Sequence, residues 1–379
     1  MKKIYLDYNA TTPVAPSVFE AMHPFYSEHF GNPSSSHALG RAAAEAIEDA
    51  RGKVAGMISC NPEEILFTSG GTESNNLAIK GTMFQSGRNL GGHIIISSIE
   101  HPATTAPARF LERLGFDLTI VDCDSNGVVD PDDVRKAIRP DTALVSIMHS
   151  NNEVGTVQPI KEIAAICRER DIRTHTDASQ SCGKIPVNID SLEVDMLTIA
   201  GHKFYGPKGI GALYVRNNIP LESFMHGAGH EKGLRAGTEN TPSIVGLGAA
   251  AKMAWGALSE SHTKLGELRE SLLKKLRSEI DGLIVNGEQV ERLPNTLSIS
   301  FPGVSGLDIL SRLPELSAST GAACHSDSDD SSTLQAMGIP DDVIRGTIRL
   351  SVGWYTNQEE IERASSLLID AWENLHQPA

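Results

Sequence analysis

Cysteine is scarce in this sequence and is not arranged in pairs. The 379 residues contain five cysteines, at positions 60, 123, 167, 182 and 324, with no C-x-x-C motif. An odd number of scattered cysteines excludes a disulfide framework of the kind that stabilises small secreted domains. The start of the chain turns acidic at Asp7, too early for a signal peptide. We therefore expect a protein of a reducing compartment, the cytoplasm.

Basic charge and long apolar runs are also lacking. The chain has 33 basic against 48 acidic side chains, a formal net charge of −15, which disfavours binding to nucleic acid or to an anionic membrane. No uncharged apolar run reaches the roughly 18 residues that suggest a transmembrane helix. One histidine pair at helical spacing, His226 and His230, is separated by Gly227-Ala-Gly229, which disfavours a helix. We therefore expect no metal site.

What the sequence does have is an alternation of β-rich runs with helical patterns from about residue 62 to residue 216. Ile65–Thr68 and His93–Ser98 are typical strands, and Glu73–Gln85 is a typical helix. Such alternation predicts a mostly parallel sheet covered by helices. From Ser243 to Ile280 the pattern predicts one or two long helices, followed by further strands and helices. We therefore predict an α/β fold with a large domain, residues 13–254, and a smaller α+β domain of residues 1–12 and 255–379.

Side chains with chemical potential follow four predicted strands at the point where each strand ends. They are, in chain order, Gly71 with Thr72, His101, Asn152, and Asp177 with Gln180. The carboxyl ends of the strands in an open α/β sheet share one edge, where ligands bind. A glycine-rich helix start suits a phosphate group, and a carboxylate suits a protonated pyridine nitrogen. Taken one at a time, each residue is more often structural, for example as a helix cap.

Lys203 lies between two short apolar runs, within Gly201-His-Lys-Phe-Tyr-Gly-Pro207. A partly desolvated lysine amine can condense with an aldehyde to form a Schiff base, whereas a lysine considered alone is usually a solvated surface residue. Such a lysine, a carboxylate for a ring nitrogen and a phosphate-binding loop together indicate pyridoxal 5′-phosphate as the cofactor.

The motifs of the chain resemble those of the cysteine desulfurases of the NifS/IscS type, which are class V pyridoxal-phosphate enzymes of fold-type I. The resemblance covers essentially the whole chain, through Tyr5-Leu-Asp-Tyr-Asn-Ala-Thr-Thr-Pro13, Phe30-Gly-Asn-Pro33, Phe67-Thr-Ser-Gly-Gly-Thr-Glu-Ser74, Glu100-His101, Ser146-Ile-Met-His-Ser-Asn-Asn-Glu-Val-Gly155, Asp177-Ala-Ser-Gln180, Gly201-His-Lys-Phe-Tyr-Gly-Pro207 and Arg235-Ala-Gly-Thr238. It implies that sulfur is removed from L-cysteine, that L-alanine is released, and that an acceptor protein receives the sulfur for iron–sulfur cluster or thio-cofactor assembly.

The resemblance also implies roles for the residues that would surround the cofactor ring. Lys203 would carry the cofactor and, once displaced by the substrate, would remove its α-proton. His101 would stack on the ring and act as an acid or base. Asp177 and Gln180 would contact the pyridine.

A second group of residues would hold the phosphate. Gly71, Thr72 and His202 would bind it from within the chain, and Thr238 would reach it from the partner subunit of a homodimer. Ala200 stands where these desulfurases usually have serine or threonine, so one phosphate contact would be missing.

Three further residues would serve the substrate. Asn152, beside the cofactor, and Arg349 would receive the substrate carboxylate, for which a planar guanidinium is suited. Cys324 would attack the substrate sulfur and carry it as a persulfide. The polar segment around it, about residues 319–333, predicts an exposed and mobile loop, although an isolated cysteine is more often a small buried core residue.

Two local sequences depart from the desulfurase pattern. Gly-Ala-Ala-Cys324-His-Ser-Asp and Gly237-Thr-Glu-Asn-Thr-Pro242 are more similar to animal selenocysteine lyases. A lyase that releases selenium from L-selenocysteine is therefore the alternative function. An aminotransferase or another lyase would make Cys324 dispensable, and a scaffold without catalysis would not bind the cofactor through Lys203.

Overall fold

The structure is a computed structural model that describes residues 3–85, 91–320 and 333–376. The strands in these ranges are β1 Ile4–Tyr5, β2 Ile65–Thr68, β3 His93–Ser97, β4 Asp117–Val121, β5 Thr142–Ser146, β6 Arg173–Asp177, β7 Met196–Ala200, β8 Gly211–Val215, β9 Ile284–Val285, β10 Thr296–Ser300, β11 Leu316–Ser317 and β12 Thr347–Ser351. The helices are α1 Pro16–Met22, α2 Pro24–Ser27, α3 Ala38–Ile58, α4 Gly71–Met83, α5 Pro102–Arg113, α6 Pro131–Ala137, α7 Ile160–Arg168, α8 Ile189–Leu192, α9 Thr241–Gly256, α10 Leu258–Glu279, α11 Gly306–Ser311, α12 Thr333–Ala336, α13 Asp341–Arg345 and α14 Gln358–His376.

The main sheet has seven strands in the order β2-β8-β7-β6-β5-β3-β4. Neighbouring strands from β7 to β4 run parallel, whereas β8 is antiparallel to both β2 and β7. The predicted α/β fold with a mostly parallel sheet is therefore confirmed. Because parallel strands are linked by crossovers, their carboxyl ends meet at one edge of the sheet, where ligands bind.

Both faces of the middle of this sheet are buried, which explains the apolar run of a strand such as β3. In β3, Ile94 and Ile96 pack with side chains of α4 and α5, such as Leu77. Ile95 points to the other face and belongs to the core that includes Val54 of α3. Successive side chains of a strand point to opposite faces, so one isoleucine run contributes to both helical layers.

The C-terminal part of the chain builds a second sheet and a second core. β10 pairs antiparallel with β9 and β12, and its Leu297 packs with Leu272 of α10 and Leu368 of α14. The predicted helical segment from Ser243 to Ile280 is two helices, α9 and α10, which meet at Ala257.

The N-terminal segment joins this second core and then passes to the main sheet. β1 pairs in parallel with β11, and Leu6 is buried in the same core as Leu297. The next residues contact the turn that carries Lys203, as the backbone bond from Thr12 N to His202 O (2.9 Å) illustrates. The limits of the two predicted domains stay a prediction. No helix among the described residues is both long enough and apolar enough to cross a membrane.

Candidate active site

A cavity of about 270 Å³ lies at the edge where the strands of the main sheet end. Eight of the predicted site residues line it: Gly71, Thr72, His101, Asn152, Asp177, Gln180, His202 and Lys203. These side chains follow β2, β3, β5, β6 and β7. Distant parts of the sequence therefore converge on one space because consecutive parallel strands end at the same edge.

Lys203 is held in a short 3₁₀ turn, Gly201–Lys203, directly after β7. Its half-buried side chain donates hydrogen bonds from Nζ to Asn9 O (2.8 Å) and Ala10 O (2.9 Å). Thr12 binds the neighbouring His202 O through its backbone N and its hydroxyl. The lysine amine is therefore directed by the turn and by the N-terminal segment rather than extended into solvent.

Asp177 presents a buried carboxylate to the cavity from the end of β6. Its Oδ2 accepts a hydrogen bond from Asn75 Nδ2 (2.7 Å), and its Oδ1 accepts one from the backbone N of Ser179 (2.9 Å). These bonds fix the orientation of the carboxylate. The carboxylate is thus preorganised to receive a cationic N–H group of a ligand.

The corner of the cavity near α4 has the features of an anion site. α4 begins at Gly71, so Thr72 lies in its first turn, where backbone N–H groups have no partner within the helix. A Cβ atom at position 71 would lie 3.2 Å from Ser179 Oγ and 3.3 Å from Ala200 Cβ. Glycine therefore keeps this corner open. Ala200 has no hydroxyl, but Ser179 Oγ lies at the same corner as Ala200 Cβ. Ser179 also lines the cavity and offers a hydroxyl there.

His202 faces the same cavity as a neutral imidazole. Burial, together with the positive charges of Lys203 and Lys208, lowers the pKa of His202 to about 4. Its Nδ1 lies 3.1 Å from Thr11 Oγ1. A neutral imidazole keeps one N–H group, so His202 can still donate a hydrogen bond to an anion.

His101 is positioned by the start of α5. Its Nδ1 accepts a hydrogen bond from the backbone N of Ala103 (3.1 Å), and Pro102 occupies the first helical position. In the neutral ring the proton then lies on Nε2. This geometry leaves the imidazole at the mouth of the cavity with a defined tautomer.

Three predicted site residues are not among those that line the cavity. Arg349 is buried beside it and donates from Nη1 to Asn152 O (3.1 Å) and from Nη2 to Asp7 Oδ1 (2.8 Å). Thr238 is exposed on the loop before α9. Cys324, with residues 321–332 of the predicted mobile loop, lies outside the described residues.

The four described cysteines differ from a catalytic thiol in their surroundings. Burial raises the pKa of Cys60, Cys167 and Cys182 to about 12 in each case, and it also raises the pKa of Cys123. A thiol reacts as its thiolate. These four side chains therefore stay protonated and unreactive near neutral pH.

Three residues that contact the site residues were not predicted from the sequence. Asn9 and Ser179 lie within the motifs Tyr5–Pro13 and Asp177–Gln180, which could have drawn attention to them. Asn75 lies one helical turn after Thr72, and that spacing on a helix places both on one side. The partners of Asn9 and Asn75 are far away in the sequence, so no local pattern identifies those contacts.

The chemistry of the cavity fits pyridoxal phosphate. It combines a directed amine, a fixed carboxylate for a ring nitrogen and a helix start that glycine keeps open for a phosphate. Fold and site together define a class V enzyme of the aminotransferase type. In agreement, the family described as Aminotransferase class-V matches residues 4–364, so the chain belongs to this family, whose members use pyridoxal 5′-phosphate.

Individual relatives narrow this class. The chain is 47% identical over 370 residues to "Cysteine desulfurase IscS" of Dictyoglomus turgidum, which covers 97% of this chain and 94% of the relative. Among solved structures, a "NifS-like protein" has a TM-score of 0.92 and 37% identity, covering 98% of this chain and 100% of the other. "SspA in complex with cysteine" has a TM-score of 0.82 and 39% identity, covering 93% and 100%. The resemblance to the NifS/IscS type is confirmed.

Proposed function

We propose that this protein is a pyridoxal-phosphate-dependent cysteine desulfurase. The observation that carries the proposal is that the Lys203 amine and the buried Asp177 carboxylate line one cavity, in a chain 47% identical to a cysteine desulfurase. The alternative of a selenocysteine lyase is not favoured, because relatives 45–47% identical to the chain are described as cysteine desulfurases. We also propose that an acceptor protein receives the sulfur for iron–sulfur cluster or thio-cofactor assembly.

Lys203 and the residues around it would have separate roles in holding the cofactor and in removing the α-proton of the substrate. When bound, the cofactor supplies an aldehyde for the substrate amine and a ring that withdraws electrons from the substrate Cα. Lys203 Nζ would hold the cofactor at rest and, once released, take the proton from Cα. Asp177 would keep a proton on the ring nitrogen by placing its negative charge beside it. Gln180 would donate to the ring from Nε2, and His101 would lie against its exposed face.

Substrate and phosphate would be bound by separate groups. Asn152 and Arg349 would bind the substrate carboxylate. Arg349 lies next to Asn152, because its Nη1 donates a hydrogen bond to the Asn152 carbonyl oxygen. Gly71, Thr72 and His202 would bind the phosphate, and the neutral state of His202 suits a donor role.

Cys324 would take the sulfur. Its thiolate attacks the substrate sulfur, the new S–S bond forms, and the old C–S bond breaks with its electron pair left on the carbon. Protonation of that carbon then leads to L-alanine. The raised pKa of each of the four described cysteines supports the assignment of this role to Cys324. These four thiols are free rather than disulfide-bonded, which supports a reducing compartment, the cytoplasm.

The experiment for this proposal measures the L-alanine formed from L-cysteine and the mass of the peptide that contains Cys324, and then the sulfide that a thiol reductant releases from the protein. We expect one added sulfur atom on Cys324 and loss of turnover in Cys324→Ser. Cys60→Ser, which removes a half-buried thiol of raised pKa, is the matched control and should keep its turnover. Full turnover in Cys324→Ser would contradict the persulfide role.

A homodimer forms the last part of the proposal. The helices α1, α2 and α3 pack against α9, and this layer carries the exposed apolar side chains Phe19, Tyr26, Leu39 and Trp255. Several large exposed apolar side chains in one layer are typical of an interface. The exposed loop with Thr238 would then reach the phosphate site of the other subunit.

Hybrid dimers test this arrangement. A dimer of one Lys203→Ala subunit and one Thr238→Ala subunit contains one intact site only if Thr238 serves the partner. We therefore expect mixed dimers to regain the cofactor affinity that Thr238→Ala dimers lose. If mixing restores nothing, Thr238 does not act across the interface.

A further inference from the structure

Asn9 is a buried residue in the N-terminal segment, with 1% of its surface exposed. Its side chain uses both of its polar atoms. Oδ1 accepts hydrogen bonds from Lys184 Nζ (3.2 Å) and Asn295 Nδ2 (2.9 Å). Nδ2 donates to Asn152 O (3.2 Å) and Thr296 Oγ1 (2.8 Å). A buried amide with all four bonds made is fixed in one orientation.

The backbone of Asn9 is fixed in the same way. Its N–H donates to Ser351 Oγ (2.9 Å). Its carbonyl oxygen accepts from Gln180 Nε2 (3.0 Å) and from Lys203 Nζ (2.8 Å). The carbonyl that receives the lysine amine is therefore placed by a residue whose side chain is anchored on both sides.

The two sides belong to different sheets. Thr296 lies in β10 and Ser351 in β12, both in the small antiparallel sheet. Asn152 and Gln180 follow β5 and β6 of the main sheet and line the cavity. One asparagine therefore connects the small sheet to the cavity through direct hydrogen bonds.

Lys184 completes this connection. It is fully buried, and burial, followed by the charge of Lys203, lowers its pKa well below the ordinary value. Its Nζ donates to Gln180 Oε1 (2.6 Å) as well as to Asn9 Oδ1. The Gln180 amide is thus oriented with its oxygen toward Lys184 and its nitrogen toward Asn9. One Nε2 hydrogen remains for a ligand in the cavity, because an amide nitrogen has two hydrogens.

We propose that Asn9 is a positioning residue, which fixes the Lys203 amine and the Gln180 amide relative to the small sheet. Without its side chain, the segment around residue 9 loses four hydrogen bonds and the carbonyl at residue 9 shifts. Lys203 and Gln180 then lose a shared acceptor. The role in turnover rests on the proposed function, whereas the effect on the Lys203 amine does not.

The first experiment therefore measures the chemical reactivity of the Lys203 amine independently of turnover. The full chain, prepared without pyridoxal phosphate, is treated briefly with acetic anhydride at several pH values, and acetylation of Lys203 is followed by peptide mass spectrometry. In Asn9→Ala we expect Lys203 to react at least about threefold faster near neutral pH, since its ammonium form has lost a fixed acceptor.

The second experiment uses the chain with pyridoxal phosphate bound. In Asn9→Ala we expect the pH titration of the cofactor absorbance to move, and kcat for L-cysteine to fall roughly 10- to 100-fold with a smaller change in KM. Thr296→Val removes one of the two acceptors of Asn9 Nδ2, together with the bond from Thr296 Oγ1 to Asn295 Oδ1. It should give a smaller change in the same direction. If Asn9→Ala fails to fold, the same measurements on Thr296→Val test the proposal.

Asn286→Ala is the matched control. Asn286 is also a buried asparagine, and its Nδ2 donates to Ser298 Oγ and Ser300 Oγ of the same strand β10. We expect it to lower the unfolding temperature without changing Lys203 acetylation. If Asn9→Ala and Thr296→Val match Asn286→Ala in acetylation and in the absorbance titration, the positioning role is wrong. If the unaltered chain does not turn over L-cysteine, the proposed function fails, and the acetylation result still decides the role of Asn9.

Discussion

Glu100 carries a proton near neutral pH because it is buried just before His101. Burial raises the pKa of Glu100 to about 8, and the hydrogen bonds from Ser97 and from the backbone N of Met148 only partly oppose this. Its Oε1 accepts both bonds, whereas Oε2 is buried with no partner among the described residues. A carboxyl group in such surroundings is stable when neutral and costly when charged.

The raised pKa of Glu100 predicts a pH-dependent loss of stability. Below the ordinary value of 4.5, both the folded and the unfolded chain hold the proton. Between pH 4.5 and about pH 8 only the unfolded chain releases it, so the free energy of unfolding falls as pH rises, by about 1.4 kcal/mol per pH unit for this group.

Glu100→Gln keeps the shape of the side chain and removes its titration. We expect the unfolding temperature of this variant, relative to the unaltered protein, to be clearly higher at pH 8 than at pH 5. For Glu63→Gln, at an exposed position, the unfolding temperature relative to the unaltered protein should be the same at pH 8 and at pH 5. An equal difference at both pH values for Glu100→Gln would show that Glu100 is ionised in the folded protein.

At the scale of elements, a buried ion pair attaches the loop before α9 to helix α3 and strand β2. Arg51 Nη1 and Nη2 donate to the two carboxylate oxygens of Glu231 (2.9 and 2.8 Å), and Arg51 Nη1 also donates to Ile65 O (2.8 Å). Glu231 Oε2 in turn accepts from the backbone N of Phe67 (2.8 Å). The loop that continues to Thr238 therefore starts from a fixed point.

Arg51→Met should destabilise the protein strongly, because it leaves the Glu231 carboxylate buried without its partner. We expect a loss of about 3–5 kcal/mol in the free energy of unfolding, measured by chemical denaturation. Arg109→Met breaks the exposed pair with Glu112 and should cost less than about 1 kcal/mol. Similar losses for the two variants would contradict the structural importance of the buried pair.

The elements themselves were largely predictable, because local patterns determine them. The strand predicted at Ile65–Thr68 has these limits in the structure, since an apolar run is bounded by turn residues. The helix predicted to start at Glu73 begins at Gly71, because glycine is a poor helix former in the interior but is acceptable at a helix start. The sequence does not indicate whether Ser243–Ile280 is one helix or two, since no proline or charged residue marks the break at Ala257.

At the scale of the whole molecule, the order of residues along the edge of the main sheet was predictable, whereas contacts between elements far apart in the sequence were not. Asp177 and Lys203 follow successive strands, and parallel strands bring their ends together. Asn9 contacts Asn295 across 286 residues, and Arg51 contacts Glu231 across 180 residues. Such contacts depend on how separate elements pack, and no spacing in the sequence indicates them.

Reduction of the purified protein with borohydride, followed by peptide mapping, tests whether the Lys203 amine carries pyridoxal phosphate. Reduction makes the bond between amine and cofactor permanent. We expect the cofactor mass on the peptide that contains Lys203, and we expect the buried Lys184 to be unlabelled. A label on another lysine, or a protein that takes no label after incubation with pyridoxal phosphate, would contradict the account.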